Sequence, residues 1–425
     1  MSELLHGNEA AKCIIIGASH GGISAAFALR QFGWKGKIMV YDALTSFPHQ
    51  KPPLSKEFLL GKSPENRLIL RAERAYEKAK IDLHLGFKVE KINRANRTIV
   101  VNGSTVAYDK LIIATGADAF IPPFAGVNEA TNIFTIRHLP DAEALKSVVD
   151  GYVEQGEKPS VVIIGAGYIG LEAAASLTKL GSSVTVLERA ERVLQRVTAP
   201  VMSAYFTELH TENGVHICTS TLVSGIEQSP DGQYVTCEDG AHLKADIIIV
   251  GTGVRVNQAL AQKAGLKTED GICVNEYCQT NDEDIYAIGD CTQHHNFIYD
   301  VDVRLESVQN AMDQANIAAM NICGKTMKYD KVPWFWSDQY GLKLQIVGLL
   351  NGYTDIIVRR DEADPKSISV WYFKGDTLIS VDAVNQPKSY MLGMRLIPKK
   401  TKINKIALQE APIPIKPADV VLSPA

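Results

Sequence analysis

The sequence predicts an α/β chain in which two parallel-sheet units of one design are followed by a C-terminal α+β segment built on an antiparallel sheet. Three observations carry that reading. Two apolar, β-branched runs each lead into closely spaced glycines, a small-residue helix, a second strand and an acid. After each of these comes a further apolar strand that exits through Thr-Gly. The last hundred residues then change character, with Trp, Tyr and alternating β-rich segments dominating.

The stretch VVIIGAGYIGLEAAASLTKLGSSVTVLE, residues 161–188, organises the rest. Its apolar strand ends at Gly165, which permits a tight turn. Gly167 lets backbone N–H groups approach a pyrophosphate at a helix N-terminus, and Gly170 lets helix and strand pack closely; Tyr168 and Ile169 lie within the same loop. Glu188, 23 residues after Gly165, falls where a carboxylate would take a ribose 2′-hydroxyl. A mononucleotide site, or one that has lost its ligand, satisfies the same glycines.

A second fingerprint stands near the start of the chain: Cys13–Ile16, then Gly17, Ser19, Gly21 and Gly22, a helix to about Arg30, and a strand ending at Asp42. Ser19 replaces the usual middle glycine and is small enough for close phosphate approach. Leu111–Gly116, containing Ala114 and Thr115, is matched by Ile247–Gly253. Gly116 follows Gly17 by 99 residues, and Gly253 follows Gly165 by 88. This is an internal duplication, so two Rossmann-like dinucleotide-binding domains are expected.

Between these landmarks the chain reads in order. Residues 47–56 form a proline turn that delivers Lys56, and a surface turn with a solvated lysine explains it equally well. Arg67, Arg71, Arg74, Lys78 and Lys80 read as a solvated helical face over 64–84. Residues 86–116 read as a small antiparallel insertion with an Asn102-Gly103 turn. Pro122-Pro123 marks a linker; a helix over about 200–213 and short strands with turns at Pro230-Asp-Gly and Glu238-Asp-Gly follow. The strand 285–288 ends in Gly289-Asp290, and a helix covers about 307–323. If Asp290 returns to the first sheet, the second unit is an insertion. The expected domains are 1–117 with 246–328, then 118–245, then 329–425.

Composition excludes several function classes. With 44 basic and 48 acidic residues, a net charge of −4 and a pI near 6.2, nothing concentrates the protein on nucleic acid. The seven cysteines form no C-x-x-C pair and no zinc-site spacing, which fits reduced thiols in a cytosol. No apolar run reaches the ~18 residues of a membrane span, and no export signal is read at the N-terminus. A soluble, cytoplasmic protein is expected, with no metal, membrane or nucleic-acid partner.

The segments GASHGG, PPLSKEFL, LIIATG, GAGYIGLE, RVLQRVTAP, IYAIGDC, RLESVQNA and PWFWSDQYGLKLQIVG make the chain similar, over nearly its whole length, to FAD-dependent NADH:ferredoxin reductases of the putidaredoxin reductase type. The resemblance implies a glutathione-reductase-like fold with FAD and NADH as cofactors. The partner it implies is an acidic [2Fe–2S] ferredoxin that serves a cytochrome P450. FAD would lie on Gly17–Gly22 with Asp42 and Asp290, and further contacts would come from Lys56, Val89, Arg137, Val308 and the Ala114–Gly116 exit. NADH would lie on Gly165–Gly170, with Glu188 selecting an unphosphorylated ribose although Arg189 beside it would welcome a phosphate; Gly253 closes the second loop.

In that family Lys56 pairs with Glu172 where nicotinamide meets flavin; a buried pair joining two domains is the alternative. Related disulfide reductases carry a redox cysteine pair just before the equivalent lysine, whereas here no cysteine lies between Cys13 and Cys218. Electrons are therefore expected to leave singly, past Trp336, to a carrier docking near the flavin edge. Taken without the resemblance, the aromatic cluster around Trp336 reads more readily as core than as a cofactor contact. Lys399–Lys405 and Arg67–Arg74 are candidate docking cations. Competing functions are a rubredoxin or quinone-type reductase and a redox-sensing flavoprotein of the apoptosis-inducing type.

Overall fold

The computed structural model describes residues 5–420. Its first sheet is five-stranded and parallel, in the order Ile285–Ala287, Lys110–Ile113, Lys12–Ile16, Lys37–Asp42, Ile81–Leu85. Both faces are covered, which is why Ile14, Ile15, Ile112 and Ile113 are all fully buried and the inner strands read as unbroken apolar runs. On one face the helices His20–Phe32 and Val308–Ile322 pack against each other. Ala25, Ala26, Ala315 and Ala318 are fully buried there, and residues this small let the two helices approach. On the other face Ile14 and Ile16 meet Ile92, Ile99 and Val101 of the antiparallel ribbon Val89–Asn93, Thr98–Val101, Ser104–Ala107. Its Asn102-Gly103 turn has φ of 45° and 74°, as a two-residue hairpin between Val101 and Ser104 requires.

The second parallel sheet repeats the design in the order His216–Cys218, Ser183–Leu187, Ser160–Ile164, Ile247–Val250, Ile133–Phe134. The C-terminal sheet is antiparallel: Trp334–Gln339, Leu342–Gly348, Thr377–Val384, Ile368–Lys374, Asp355–Arg360. The helix Pro387–Leu396 lies close against it. A Cβ on Gly393 would stand 2.7 Å from Val347 Cγ1, so glycine sets that spacing.

Contacts divide the chain into two units. The first holds residues up to Gln50, Asn66–Asp118 and Arg255–Pro333; the second holds Lys51–Glu65, Ala119–Val254 and residues from Trp334 onward. Because Ile285–Ala287 pairs with Lys110–Ile113, the chain does return to the first sheet after the second is complete. Two groupings differ from the sequence expectation. Lys51–Glu65 joins the second unit, where Ser55 bonds Glu172. The C-terminal sheet also joins it, through bonds such as Thr198 to Asp382.

Two elements were not expected. Residues 64–84 are helical only over Glu65–Arg67 and Glu73–Ala79; Lys80 turns left-handed at φ 51° and Ile81–Leu85 becomes the edge strand of the first sheet. After the Pro122-Pro123 linker, Leu139–Glu154 is a helix whose Leu139, Ala142, Leu145 and Val149 face inward at helical spacing, with His138 N–H donating to Asp141 Oδ2 at 2.9 Å. No helix of the described residues is long and apolar enough to cross a membrane.

Candidate active site

The two glycine motifs close in the same way. Gly17 and Gly165 adopt φ of 110° and 108°, and their N–H groups donate to Tyr41 O (2.8 Å) and Leu187 O (2.7 Å) at the ends of the neighbouring strands. A Cβ at Gly17 would stand 2.2 Å from Ala114 O, and one at Gly165 would stand 2.5 Å from Gly251 O. Gly22 and Gly170 face the same limit one helical turn on, at 1.8 Å from Gly17 O and 2.1 Å from Gly165 O. Only glycine lets strand, loop and helix approach this closely. Gly21 is less constrained, its nearest neighbours being Ile288 and Ala311 at 3.5–3.6 Å.

The acids complete the likeness. Asp42 accepts from Ala18 N–H at 2.5 Å and Leu44 N–H at 2.8 Å; Glu188 accepts from Ala166 N–H at 2.7 Å and Ala190 N–H at 2.9 Å. Each carboxylate is thus pinned beside the first glycine of its own loop, with further lone pairs to offer a ribose hydroxyl.

Both loops fit a dinucleotide. The first intrahelical bonds run from Ile23 N–H to Ser19 O (2.9 Å) and from Leu171 N–H to Gly167 O (3.0 Å), so the N–H groups ahead of them point out of the helices. Nothing lies within 4 Å of where a Cβ on Gly167 would stand. Ser19 caps its helix without a side-chain bond, which leaves its hydroxyl able to face a phosphate.

The other expected site residues are distributed between the two units. In the first unit Val89 opens the antiparallel ribbon, and Ala114, Thr115 and Gly116 follow the strand Lys110–Ile113. Thr115 Oγ1 donates to Asn257 O at 2.7 Å, and Asn257 Nδ2 donates back to Thr115 O at 3.1 Å. Asp290 follows the strand Ile285–Ala287 in a short helical turn, and Val308 opens the helix Val308–Ile322, whose cap Ser307 accepts from Asn310 N–H at 3.1 Å. In the second unit Gly253, at φ 114°, shares its turn with Thr252, whose hydroxyl donates to Phe120 O at 2.7 Å. Arg137 precedes the helix Leu139–Glu154 and donates its N–H to Asp141 Oδ2 at 3.3 Å. Tyr168 and Ile169, expected in the loop, instead form the first turn of the helix Tyr168–Lys179, where Ile169 is exposed.

Lys56 and Glu172 meet in the second unit. Lys56 Nζ stands 2.9 Å from Glu172 Oε1, and the two residues are 8% and 3% exposed. Lys56 is thus a buried partner rather than a solvated turn lysine. It sits in the helical turn Leu54–Phe58 with a non-helical φ of −125° and ψ of −107°, which turns its backbone out of the helical path. Two hydroxyls unremarked in the sequence complete the shell: Ser55 Oγ donates to Glu172 Oε2 at 2.6 Å and Ser337 Oγ to Oε1 at 2.6 Å. Three donors offset the desolvation of one carboxylate. Ser337 was legible only as the inward member of an alternating strand, between the partly buried Trp336 and Asp338.

Trp336 has Trp334 at 5.6 Å and Phe335 at 6.4 Å between ring centroids, and all three rings are only partly buried, so they do not form a closed core. Tyr168 meets Phe335 in a tilted contact at 4.6 Å between ring centroids, and its hydroxyl, buried without a hydrogen-bond partner among the described residues, is pushed well up by desolvation. Near it lies a second buried knot: Asp382 accepts from Thr198 Oγ1 and Tyr372 OH, each at 2.5 Å, and burial raises its carboxyl to about 6. Of the candidate docking cations, Lys399, Lys400, Lys402, Arg67, Arg71 and Arg74 are exposed. Lys405 is committed to Asp355 (3.0 Å) and Gly375 O (2.7 Å).

Residues 11–315 match the family model described as pyridine nucleotide-disulphide oxidoreductase, and residues 334–418 match the reductase C-terminal model. The chain belongs to the pyridine nucleotide-disulphide oxidoreductase family. It is 42% identical to putidaredoxin reductase of Pseudomonas putida over 95% of each chain, and 35% identical to a rubredoxin–NAD(+) reductase of the same species over 88% of this chain and 96% of the other. The solved covalent complex of putidaredoxin reductase with putidaredoxin superposes with a TM-score of 0.90 at 41% identity, covering 95% of this chain and 96% of that one. For an oxidoreductase of this family, the cysteine pattern is informative. Lys56 stands in a stretch without any cysteine from residue 14 to residue 217. Cys278, buried elsewhere, has its thiol raised by desolvation and so resists forming a thiolate.

Proposed function

We propose that this protein is an FAD-dependent NADH:ferredoxin oxidoreductase that supplies single electrons to an acidic [2Fe–2S] ferredoxin serving a cytochrome P450 or related oxygenase in the cytoplasm. One observation carries the reading: a disulphide-oxidoreductase chain with no cysteine beside Lys56 has no local thiol to receive electrons. They must therefore leave the molecule. The similarity to putidaredoxin reductase over 95% of both chains supports a protein carrier as their destination.

Bound FAD supplies an acceptor of two electrons that can be given up one at a time. The chain's residues supply the rest. Gly17, Ser19, Gly21 and Gly22 present backbone N–H groups to its pyrophosphate, and Asp42 takes the adenosine ribose. Val89, Ala114, Thr115, Gly116, Asp290 and Val308 would supply further contacts, and Arg137 is one more that the family resemblance implies. Gly165, Gly167, Tyr168, Ile169, Gly170 and Gly253 cradle NADH, with Glu188 on its ribose. A carboxylate there repels a 2′-phosphate, which favours NADH over NADPH. Glu172 would fix the Lys56 ammonium, a cation that would offset negative charge on the reacting ring, and Trp336 would line the exit. The domains would divide as an FAD-binding 1–117 with 246–328, an NAD-binding 118–245 and an interface-forming 329–425.

The test is anaerobic: NADH is mixed with the yellow holoprotein, then a [2Fe–2S] ferredoxin is added while iron–sulfur bleaching is followed. Fast bleaching, with NADPH a poor substitute, is expected. If the yellow colour is lost but no ferredoxin bleaches, the reading fails. The rubredoxin–NAD(+) reductase similarity supports rubredoxin as the second carrier to try.

A further inference from the structure

The buried groups around Glu172 continue past Lys56. A carboxylate has no proton to give, so Ser337 must donate to it, and the Ser337 oxygen is left to accept. It accepts from Gln339 Nε2 at 3.1 Å. That contact fixes the Gln339 amide, whose Oε1 then faces His210 Nε2 at 2.8 Å. The imidazole must therefore carry its proton on Nε2. Its Nδ1 becomes an acceptor, and Tyr340 OH, 3.1 Å away, must donate to it. Each direction follows from the one before, back from a single charge.

The surroundings favour this arrangement. His210 is fully buried, Gln339 and Ser337 nearly so, and desolvation pushes the imidazole down to about 4, which keeps it neutral as the chain requires. Tyr340 is the first residue of the two-residue turn between paired Gln339 and Leu342, at φ 53°, a conformation a tyrosine seldom adopts. Its hydroxyl bond to His210 and the Lys179 ammonium 5.6 Å over its ring hold it there. Along the strand Trp334–Gln339, the inward side chains Ser337 and Gln339 belong to this chain while Trp336 stands on the opposite side.

We propose that Tyr340, His210, Gln339 and Ser337 are positioning residues: a one-directional chain of donors that holds the Glu172 carboxylate in place against Lys56 and locks the strand bearing Trp336 to it. The chain stands on its own geometry, whereas its effect on reduction by NADH rests on the function proposed above.

The test uses holoprotein labelled with 15N-histidine, with His210 assigned by comparison with His210→Phe. At pH 7 His210 should appear as one neutral tautomer, protonated at Nε2. Glu172→Gln, which removes the acceptor-only terminus, should move both ring-nitrogen resonances although Glu172 does not touch the imidazole. Ser337→Ala should move them too and slow NADH-dependent bleaching about tenfold, with KM for NADH unchanged and Ser337→Thr restoring both. A proton on Nδ1 in the wild type, His210 resonances blind to Glu172→Gln, or undiminished bleaching in Ser337→Ala would each overturn the proposal. Should NADH fail to bleach even the wild type while His210 responds as expected, the donor chain stands and the proposed function falls.

Discussion

Glu172 is a carboxylate taken almost wholly out of water, and its three donors come from two separate stretches of chain: Ser55 with Lys56, and Ser337. Removing one partner of such a pair leaves the other buried and uncompensated, at a cost of roughly 3–5 kcal/mol. Lys56→Met should therefore lower stability whether or not the lysine is catalytic. A catalytic lysine predicts more: anaerobic bleaching by NADH slowed on the order of a hundredfold while FAD content stays at one per chain. A purely structural lysine would leave the rate per bound FAD unchanged. Gly17, Gly22, Gly165 and Gly170 were legible in the sequence because a Cβ at any of them would collide with backbone, and Asp42 and Glu188 because each stands at the end of the second strand of its unit. Ser55, Ser337, Gln339 and His210 were not, because a hydroxyl, amide or imidazole finds its partner only when the chain folds, here across 117 to 165 positions for the two serines.

The strands Ile368–Lys374 and Thr377–Val384 carry a pH-dependent load of their own. Asp382 has its carboxyl raised from an ordinary 3.8 to about 6 by burial, so its stabilising contribution is complete below pH 3.8 and is lost as pH rises through 6, a span of roughly 3 kcal/mol. His210, lowered from 6.5 to about 4, has the opposite sign: its contribution is complete above pH 6.5 and is lost as pH falls through 4. Between about pH 4 and 6 the two nearly cancel. Asp382→Asn removes one side, so urea unfolding measured across that window should show stability climbing with pH more steeply than in the wild type; parallel curves would count against the buried acid. The sheet bearing Asp382 was legible from its alternating aromatic runs. Ile81–Leu85 was missed because an edge strand with only Ile81 buried lacks the apolar run of its neighbours, and the left-handed turn that ends the preceding helix falls on Lys80 rather than on a glycine. Leu139–Glu154 was missed because Pro140 in its first turn and Gly151 near its end read as loop punctuation, although its inward face keeps helical spacing.

For the whole molecule, the proposed function has electrons entering from NADH and leaving to a carrier, and the two half-reactions should be separable by mutation. Trp336→Ala is expected to slow ferredoxin reduction at least tenfold while bleaching by NADH stays near wild type; stopped-flow traces with the reverse pattern would remove Trp336 from the exit. The duplication of the nucleotide units was legible from spacing alone, whereas the attachment of Lys51–Glu65 to the second unit depends on side-chain contacts the sequence does not display. The return of the chain to its first sheet also bears on synthesis. Lys110 and Asp284, joined at 2.6 Å beside the pairing of Lys110–Ile113 with Ile285–Ala287, are 174 positions apart. At about 5–20 residues per second, a ribosome needs about 10–35 s to make that intervening length. Throughout that interval the nascent first sheet keeps a bare, apolar strand edge, the kind of surface that chaperones cover and that neighbouring nascent chains can pair with.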